Sequence, residues 1–336
     1  MIQGIIREYK MSVALIVVFL LVLALFTLVT PETFLSPKIY LAFLATVPIV
    51  GILALGLTLV LVVGEIDLSF PDAVVLSGLT FAQIFISTGS GLLGLIGALA
   101  VGAVIGVTNG LLTTKIPIPS IVATLGMSFF LRGVSNVLAG GLARVLGGID
   151  ETLLSAVLVG AVGGIPAQAV WFLGLTLLLA VILFRHKFGD HILFVGDNAN
   201  TAHMMNINVA KTKIMVFVIM GVLSAFIGVL ATVRLRTWWP TLGGGYLLTT
   251  FATVFVGGTS MFGGVGSILG TFISAFLIGS LEAGIVASGL GGFWTRLIYG
   301  LLILISVTIH SLLGRKRGVN VSGLAKWWSR RRTARQ

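Results

Sequence analysis

At 336 residues, 57% hydrophobic, only 9% charged and with a mean hydropathy of +1.14, the chain lies outside the range of soluble domains, where roughly 25% of residues carry charge. An integral membrane protein is the class that fits. The formal charge of +11 does not argue for nucleic acid, because eight of the 21 basic residues (Arg315, Lys316, Arg317, Lys326, Arg330, Arg331, Arg332, Arg335) crowd the last 22 positions, where a basic tail behind an apolar helix reads as a topology anchor on anionic lipid.

Hydropathy and helix breakers predict about ten spans: 12–30, 41–63, 72–88, 92–113, 119–139, 168–185, 213–233, 247–256, 267–289 and 293–313. The first follows Arg7 and Lys10 as a secretory signal would. Its exit, Thr30-Pro31-Glu32-Thr33, lacks a small-x-small cleavage pattern, so it reads as a retained span.

The second span ends in a break, Gly64-Glu65-Ile66-Asp67-Leu68-Ser69-Phe70. Irregular backbone at membrane depth survives only where protein or a polar cavity covers it, and such breaks mark hydrophilic pathways. Glu65 and Asp67 follow an uncharged stretch, and an acid near the bilayer centre costs roughly 2.5 to 3.5 kcal/mol. On a regular helix they would point about 200° apart, so they do not share one cation there. If Gly64 and Pro71 break the helix, Asp67 is free to accept hydrogen bonds from released amides. Two roles stay open for it: capping a helix that starts near Pro71, or lining or gating a path. Pro71 suits the first helical turn, and Asp72 suits the positive end of that helix.

Residues 73–114 carry no charge and are long enough to cross twice, turning near Thr88-Gly89-Ser90-Gly91. The glycine-rich stretch 140–168 is too weakly periodic for a span, and partly re-entrant structure is expected. The loop 185–213 is the longest on the cytoplasmic side. Asp197 and Asn198 are helix caps there, Asn206 tolerates the left-handed conformation that ends a helix, and a short surface helix is predicted over Asn198–Met205. Trp238, Trp239 and Tyr246 fall at an outer boundary, where an aromatic belt and contact with a docking partner are the alternatives.

The span at 247–256, near 15 Å of helix, cannot cross alone unless its neighbouring loops also sit inside the protein. After it comes the second break, 257–270, with Gly257, Gly258, Gly263, Gly264 and Gly266 between apolar runs. The two breaks suggest a weak internal repeat. Glu282 interrupts the uncharged run 265–290 and is either functional or an interfacial partner of Arg296. With the amino terminus inside, fifteen of the 21 basic residues fall on the cytoplasmic side, which places both termini there.

His186, His191, His203 and His310 make no metal spacing with any carboxylate. No Gly-x-x-x-x-Gly-Lys-Ser/Thr occurs, so the chain carries no nucleotide cradle and its energy comes from another chain or a gradient. Cysteine is absent, which removes disulfides, thiolate metal sites and cysteine nucleophiles. Neither Gly-x-Gly-Asp nor His-Glu-x-x-His is present for an intramembrane enzyme.

Three blocks resemble the permeases of bacterial ABC importers of the ribose type, in the superfamily that includes branched-chain amino acid permeases. Gly64-Glu65-Ile66-Asp67-Leu68-Ser69 is similar to the family's Gly-x-Ile-Asp-Leu-Ser. Residues 118–127, Ile-Pro-Ser-Ile-Val-Ala-Thr-Leu-Gly-Met, with Arg132-Gly133, resemble its second block. Residues 256–268 resemble Gly-Gly-Thr-Ser-x-x-Gly-Gly-x-Gly-Ser. In the loop, Phe188-Gly189 and Val195-Gly196-Asp197-Asn198 through Ile207-Asn208-Val209 match as well, although Asn206 replaces the usual glycine. The frequent acidic pair is replaced by Ala199-Asn200, and Leu247-Leu248-Thr249 stands where relatives often have Glu-Leu-Asp.

The resemblance implies an all-α polytopic bundle of about ten spans with broken helices, with residues 1–313 as permease domain and 314–336 as basic cytoplasmic tail. It implies a non-enzymatic channel subunit of the bacterial inner membrane, working with a second permease copy or paralogue, a cytoplasmic subunit that binds ATP and Mg, and an extracytoplasmic solute-binding protein. The expected solute is a monosaccharide or related polyol. Asp67, Ser69, Thr259 and Ser260 are expected to line or brace the path. Gly196, Asp197, Asn198, Met204, Met205, Asn206 and Ile207 are expected to form the ATPase coupling loop. The competing class is a proton-coupled secondary transporter using Glu65, Asp67 or Glu282.

Overall fold

Each predicted span is a helix in the computed structural model, which describes residues 2–116 and 118–315. In chain order the helices are α1 (Ile2–Val29), the single turn α2 (Pro31–Phe34), α3 (Pro37–Val62), α4 (Phe70–Thr88), α5 (Gly91–Thr114), α6 (Ser120–Ala139), α7 (Leu153–Val159), α8 (Ala167–Arg185), α9 (Lys187–Asp197), α10 (Ala199–Met204), α11 (Val209–Leu235), α12 (Tyr246–Val256), α13 (Ile268–Ala287) and α14 (Gly292–Arg315). Eight of these are long and apolar enough to cross a membrane. α12, with 11 residues, is not. Most of the basic tail, 316–336, lies outside the described residues.

Helix ends follow local chemistry. Ser90 accepts a hydrogen bond from the Leu93 amide at the start of α5 (3.3 Å), after Gly89 has closed α4 with φ of 70°. Asn208 accepts from the Lys211 amide at the start of α11 (2.9 Å). Each satisfies an amide that has no partner within its own helix.

α3 is apolar all round and buried along most of its length, which marks it as a central helix. It contacts α8, α11, α12 and α13. α11 is the second pillar, packed on α4 and α5. Small residues permit that approach: a Cβ on Gly102 of α5 would lie 2.6 Å from Ala225 Cβ on α11. Lipid supplies no hydrophobic drive between helices, so such close packing carries much of the association.

Alternating spans divide the connections between two ends of the bundle. One end, the loop end, holds α9, α10 and both glycine breaks. At the other, residues 140–168 form a cap of α7 and short strands. β1 (Arg144–Val145) pairs antiparallel with β4 (Thr237–Trp238), and β2 (Ala161–Val162) with β3 (Ile165–Pro166). Gly163 and Gly164, with φ of 58° and 83°, supply the two-residue turn of the second pair.

The aromatic-belt expectation fails at Trp238. Pairing with β1 turns this side chain inward, where it is fully buried and donates from Nε1 to the Val75 carbonyl at 2.8 Å. Trp239 and Tyr246 are half-buried.

Candidate functional site

The first break is a structured strap. Gly64 leaves α3 with φ of 85°, and the following amides are satisfied from α6: Ile66 N–H donates to Ser120 Oγ (3.1 Å) and Leu68 N–H to Thr124 Oγ1 (3.0 Å). Asp67 is buried, and its Oδ1 accepts from both the amide and the hydroxyl of Ser69, each at 2.7 Å. Asn109 Nδ2 of α5 donates to Ser69 Oγ (2.8 Å). Asp67 and Ser69 are therefore joined in one network that fixes the start of α4 against α5; the position that caps α4 is Ser69, and Asp67 holds the amide of that residue. Its neighbour Glu65 forms a largely buried ion pair with Lys213 of α11. Sequence reasoning counted Lys213 as a cytoplasmic charge; the signal for pairing was that Glu65 falls at the same end.

The second break is held mainly by its own backbone. Ser260 N–H donates to the Val265 carbonyl (2.9 Å), and Ser260 Oγ accepts from Phe262 N–H (3.1 Å). Ser267 accepts from the Gly270 amide (2.9 Å) and starts α13. Thr259 is fully buried, and its Oγ1 has no hydrogen-bond partner among the described residues. Gly257 packs against the first turn of α13: a Cβ there would lie 2.8 Å from Thr271 Cα. A Cβ on Gly266 would come within 3.2 Å of the Thr259 side chain. Thr259 and Ser260 thus sit between α12 and α13, apart from the Asp67–Ser69 network.

The loop between α8 and α11 folds as two helices. Asn198 Oδ1 accepts from the amides of Asn200 (3.0 Å) and Thr201 (3.1 Å), so Asn198 caps α10. Asp197 does not cap; it is the exposed last residue of α9, one position before the site where a side chain reaches the free amides. Asn206 adopts φ of 62°, as its replacement of glycine requires. Ile207 is buried beneath α10, whereas Met204 and Met205 are 86% and 55% exposed. Two exposed methionines at the tip form an adaptable apolar surface.

Gly196 connects this loop to both breaks. A Cβ there would lie 2.7 Å from Gly264 N and closer still to the Val62 carbonyl oxygen. Gly264 N–H donates to that same Val62 oxygen (2.8 Å), and a Cβ on Gly263 would come 3.1 Å from Gly64 Cα. Gly258, Gly263 and Gly264 have φ of 89°, 84° and 69°, disfavoured for residues with a Cβ. Three chain segments therefore meet backbone to backbone at Gly64, Gly196 and Gly263–Gly264.

Two further polar groupings were not foreseen. Asp72, read as a helix-end charge, is buried and receives Arg132 Nε at 3.0 Å and Nη2 at 3.5 Å, with the Ser128 hydroxyl donating to it too. Glu282 accepts from Tyr299 Oη (3.1 Å) and forms no ion pair with Arg296. On α14 the inward face runs through Thr295 and Tyr299, one turn apart, which leaves Arg296 exposed.

Residues 39–307 match a family model described as the branched-chain amino acid transport system / permease component. The chain is 33% identical to the ribose import permease protein of Escherichia coli (strain K12) over 262 residues, 77% of this chain and 79% of that one. It is 30% identical to the ribose import permease protein of Haemophilus influenzae over 92% of this chain and 95% of that one. It is also 30% identical to the L-arabinose ABC transporter permease protein of Azospirillum brasilense over 75% of this chain and 73% of that one.

Proposed function

This chain belongs to the permease-component family of ABC importers, and from that premise we propose that it forms the translocation pathway for a monosaccharide or related polyol. It is a multi-pass inner-membrane protein. ATP and Mg are bound by a cytoplasmic partner subunit, the solute arrives on an extracytoplasmic binding protein, and a second permease copy or paralogue completes the path. Both termini lie in the cytoplasm, which makes the loop end the cytoplasmic end. Residues 1–313 are the permease domain and 314–336 the tail.

The observation that carries the mechanism is the meeting of Gly196 with both breaks. Met204 and Met205 offer the partner its grip, and Asn198 and Asn206 fix the helix that presents them. Backbone contact at Gly196 passes displacement of that helix to Val62 at the end of α3 and to Gly264 before α13. The loop end moves as one body, and α3, α4, α12 and α13 tilt between an outward and an inward cavity. Asp67, Ser69, Thr259 and Ser260 brace the path by holding the ends of these helices. The partner shifts this equilibrium only to the extent that its ATP-bound form contacts the loop differently from its free form.

The proton-driven alternative finds no support in the placement of its candidate acids. Glu65 is paired with Lys213, Asp67 is occupied by Ser69, and Glu282 is hydrogen-bonded to Tyr299. The test is uptake in proteoliposomes. Transport of a radiolabelled pentose or hexose should require the ATP-binding partner and ATP, whereas uptake by this chain alone under a pH gradient would overturn the proposal.

A further inference from the structure

A cavity of about 300 Å³ opens between the first turns of α4, the middle of α6 and the loop 240–245. Its polar lining comes from Asp72, Ser128, Arg132, Asn136 and Thr241, none of which the preceding mechanism uses. We propose that this cavity is a substrate-contacting station of the pathway, where these groups hydrogen-bond the adjacent hydroxyls of an uncharged polyol. The proposal rests on the reading of the chain as a sugar permease and adds the residues that touch the sugar.

Depth is the first argument. Arg132 lies twelve residues into α6, about 18 Å from its start at 1.5 Å per residue, well inside a hydrocarbon layer about 30 Å thick. Its side chain is nevertheless 61% exposed. A guanidinium at that depth faces protein or a water-filled path, because lipid does not solvate it. The face of α6 that carries Arg132 is thus turned away from lipid, and the open cavity beside it gives that guanidinium room for a polar ligand.

Chemistry is the second. Arginine has five N–H donors in a planar fork; two engage Asp72, and the other three have no recorded partner among the described residues. The carboxylate cancels the charge while locking the fork in place. One turn further, Asn136 spends its amide on the Arg132 carbonyl (2.9 Å), which leaves its own carbonyl oxygen as an acceptor. Thr241 both donates and accepts. A neutral set of fixed donors and acceptors matches hydroxyl groups, which also do both, better than it matches an anion or a cation. The volume is at the small end of the about 300–1,000 Å³ typical of ligand pockets, as a single sugar ring requires.

The site is also built rather than incidental. A Cβ on Gly243 would collide with the Pro71 carbonyl, so glycine lets the loop close tightly over the start of α4. That start is the one fixed by Asp67 and Ser69.

Because the chain has no cysteine, Asn136→Cys places a single thiol in the permease at the cavity. In the complete transporter, a membrane-impermeant methanethiosulfonate should modify it, and saturating amounts of a transported sugar, found by screening radiolabelled pentoses and hexoses, should slow modification severalfold. An unreactive thiol, or a rate unchanged by the sugar, would overturn the station. A second variant separates binding from charge neutralisation. Asp72→Asn/Arg132→Gln keeps the charge balance, so an assembled transporter with uptake reduced by about tenfold or more, the loss expected for charge-assisted bonds, and altered preference among sugars fits the station. Unchanged uptake would make the pair purely structural. If the unmodified transporter takes up no pentose or hexose, the sugar reading itself falls, and the station with it.

Discussion

Gly196→Ala is the smallest change that should sever the loop from the breaks. The added methyl would sit 2.7 Å from Gly264 N and 2.9 Å from the Val62 carbonyl carbon, with the Val62 oxygen nearer still. Real Cβ contacts essentially never fall below 3.0 Å, and all of these neighbours are backbone, so the segments must part. Overpacking of this kind costs about 1–3 kcal/mol. Separation also breaks the hydrogen bond from Gly264 N–H to the Val62 oxygen, which costs about 0.5–1.5 kcal/mol more. The strain is confined to a junction between helix ends, so the spans should still insert and the partner should still bind at Met204 and Met205. The expected phenotype is uncoupling. In proteoliposomes holding the complete transporter, solute moved per ATP hydrolysed should fall by at least about tenfold, the effect of 1.4 kcal/mol, while hydrolysis continues. Gly133→Ala, where a Cβ meets nothing within 4 Å, is the control. An unchanged coupling ratio in Gly196→Ala would refute the transmission argument.

Other outcomes follow from the same contacts. Lys213→Met should lower the apparent melting temperature of the detergent-solubilised protein, since leaving Glu65 buried and unpaired costs about 3–5 kcal/mol; Glu65→Met/Lys213→Met should recover most of that loss. Asp67→Asn retains an acceptor for the Ser69 amide and should keep substantial uptake, whereas Asp67→Leu should abolish uptake while the transporter still assembles, as seen by size exclusion. Met204→Asp/Met205→Asp places two charges on the exposed tip and should uncouple hydrolysis from transport with no change in protein yield. Trp238→Ala removes a fully buried indole and should destabilise by about 3–5 kcal/mol, seen as a lower melting temperature.

Much of the fold was legible because membrane solvation is a local constraint. An uncharged run such as 41–63 needs no partner to declare itself a helix, and the ends of α4 and α10 are written in Gly89, Asn198 and Asn206, whereas α11 starts at Val209, four residues before the expected 213, because Asn208 caps it. The placement of polar groups was less legible, because it depends on residues far away in sequence. Asp72 meets Arg132 across 60 positions and Glu65 meets Lys213 across 148. Trp238 looks like a boundary residue until β1 turns it inward. Gly64, Gly196 and Gly263 each have a local reading as a helix break or loop glycine. Their joint meaning, three backbones in contact, exists only once the chain is folded.

The claim that the loop end moves as one body is tested most directly by spin-label distances between single cysteines at the exposed positions Met204, Phe262 and Val145. On ATP binding to the complete transporter, the Met204–Phe262 distance should stay constant while Met204–Val145, which spans to the opposite end, changes. A Met204–Phe262 distance that opens on ATP binding while the helices stay still would contradict the account.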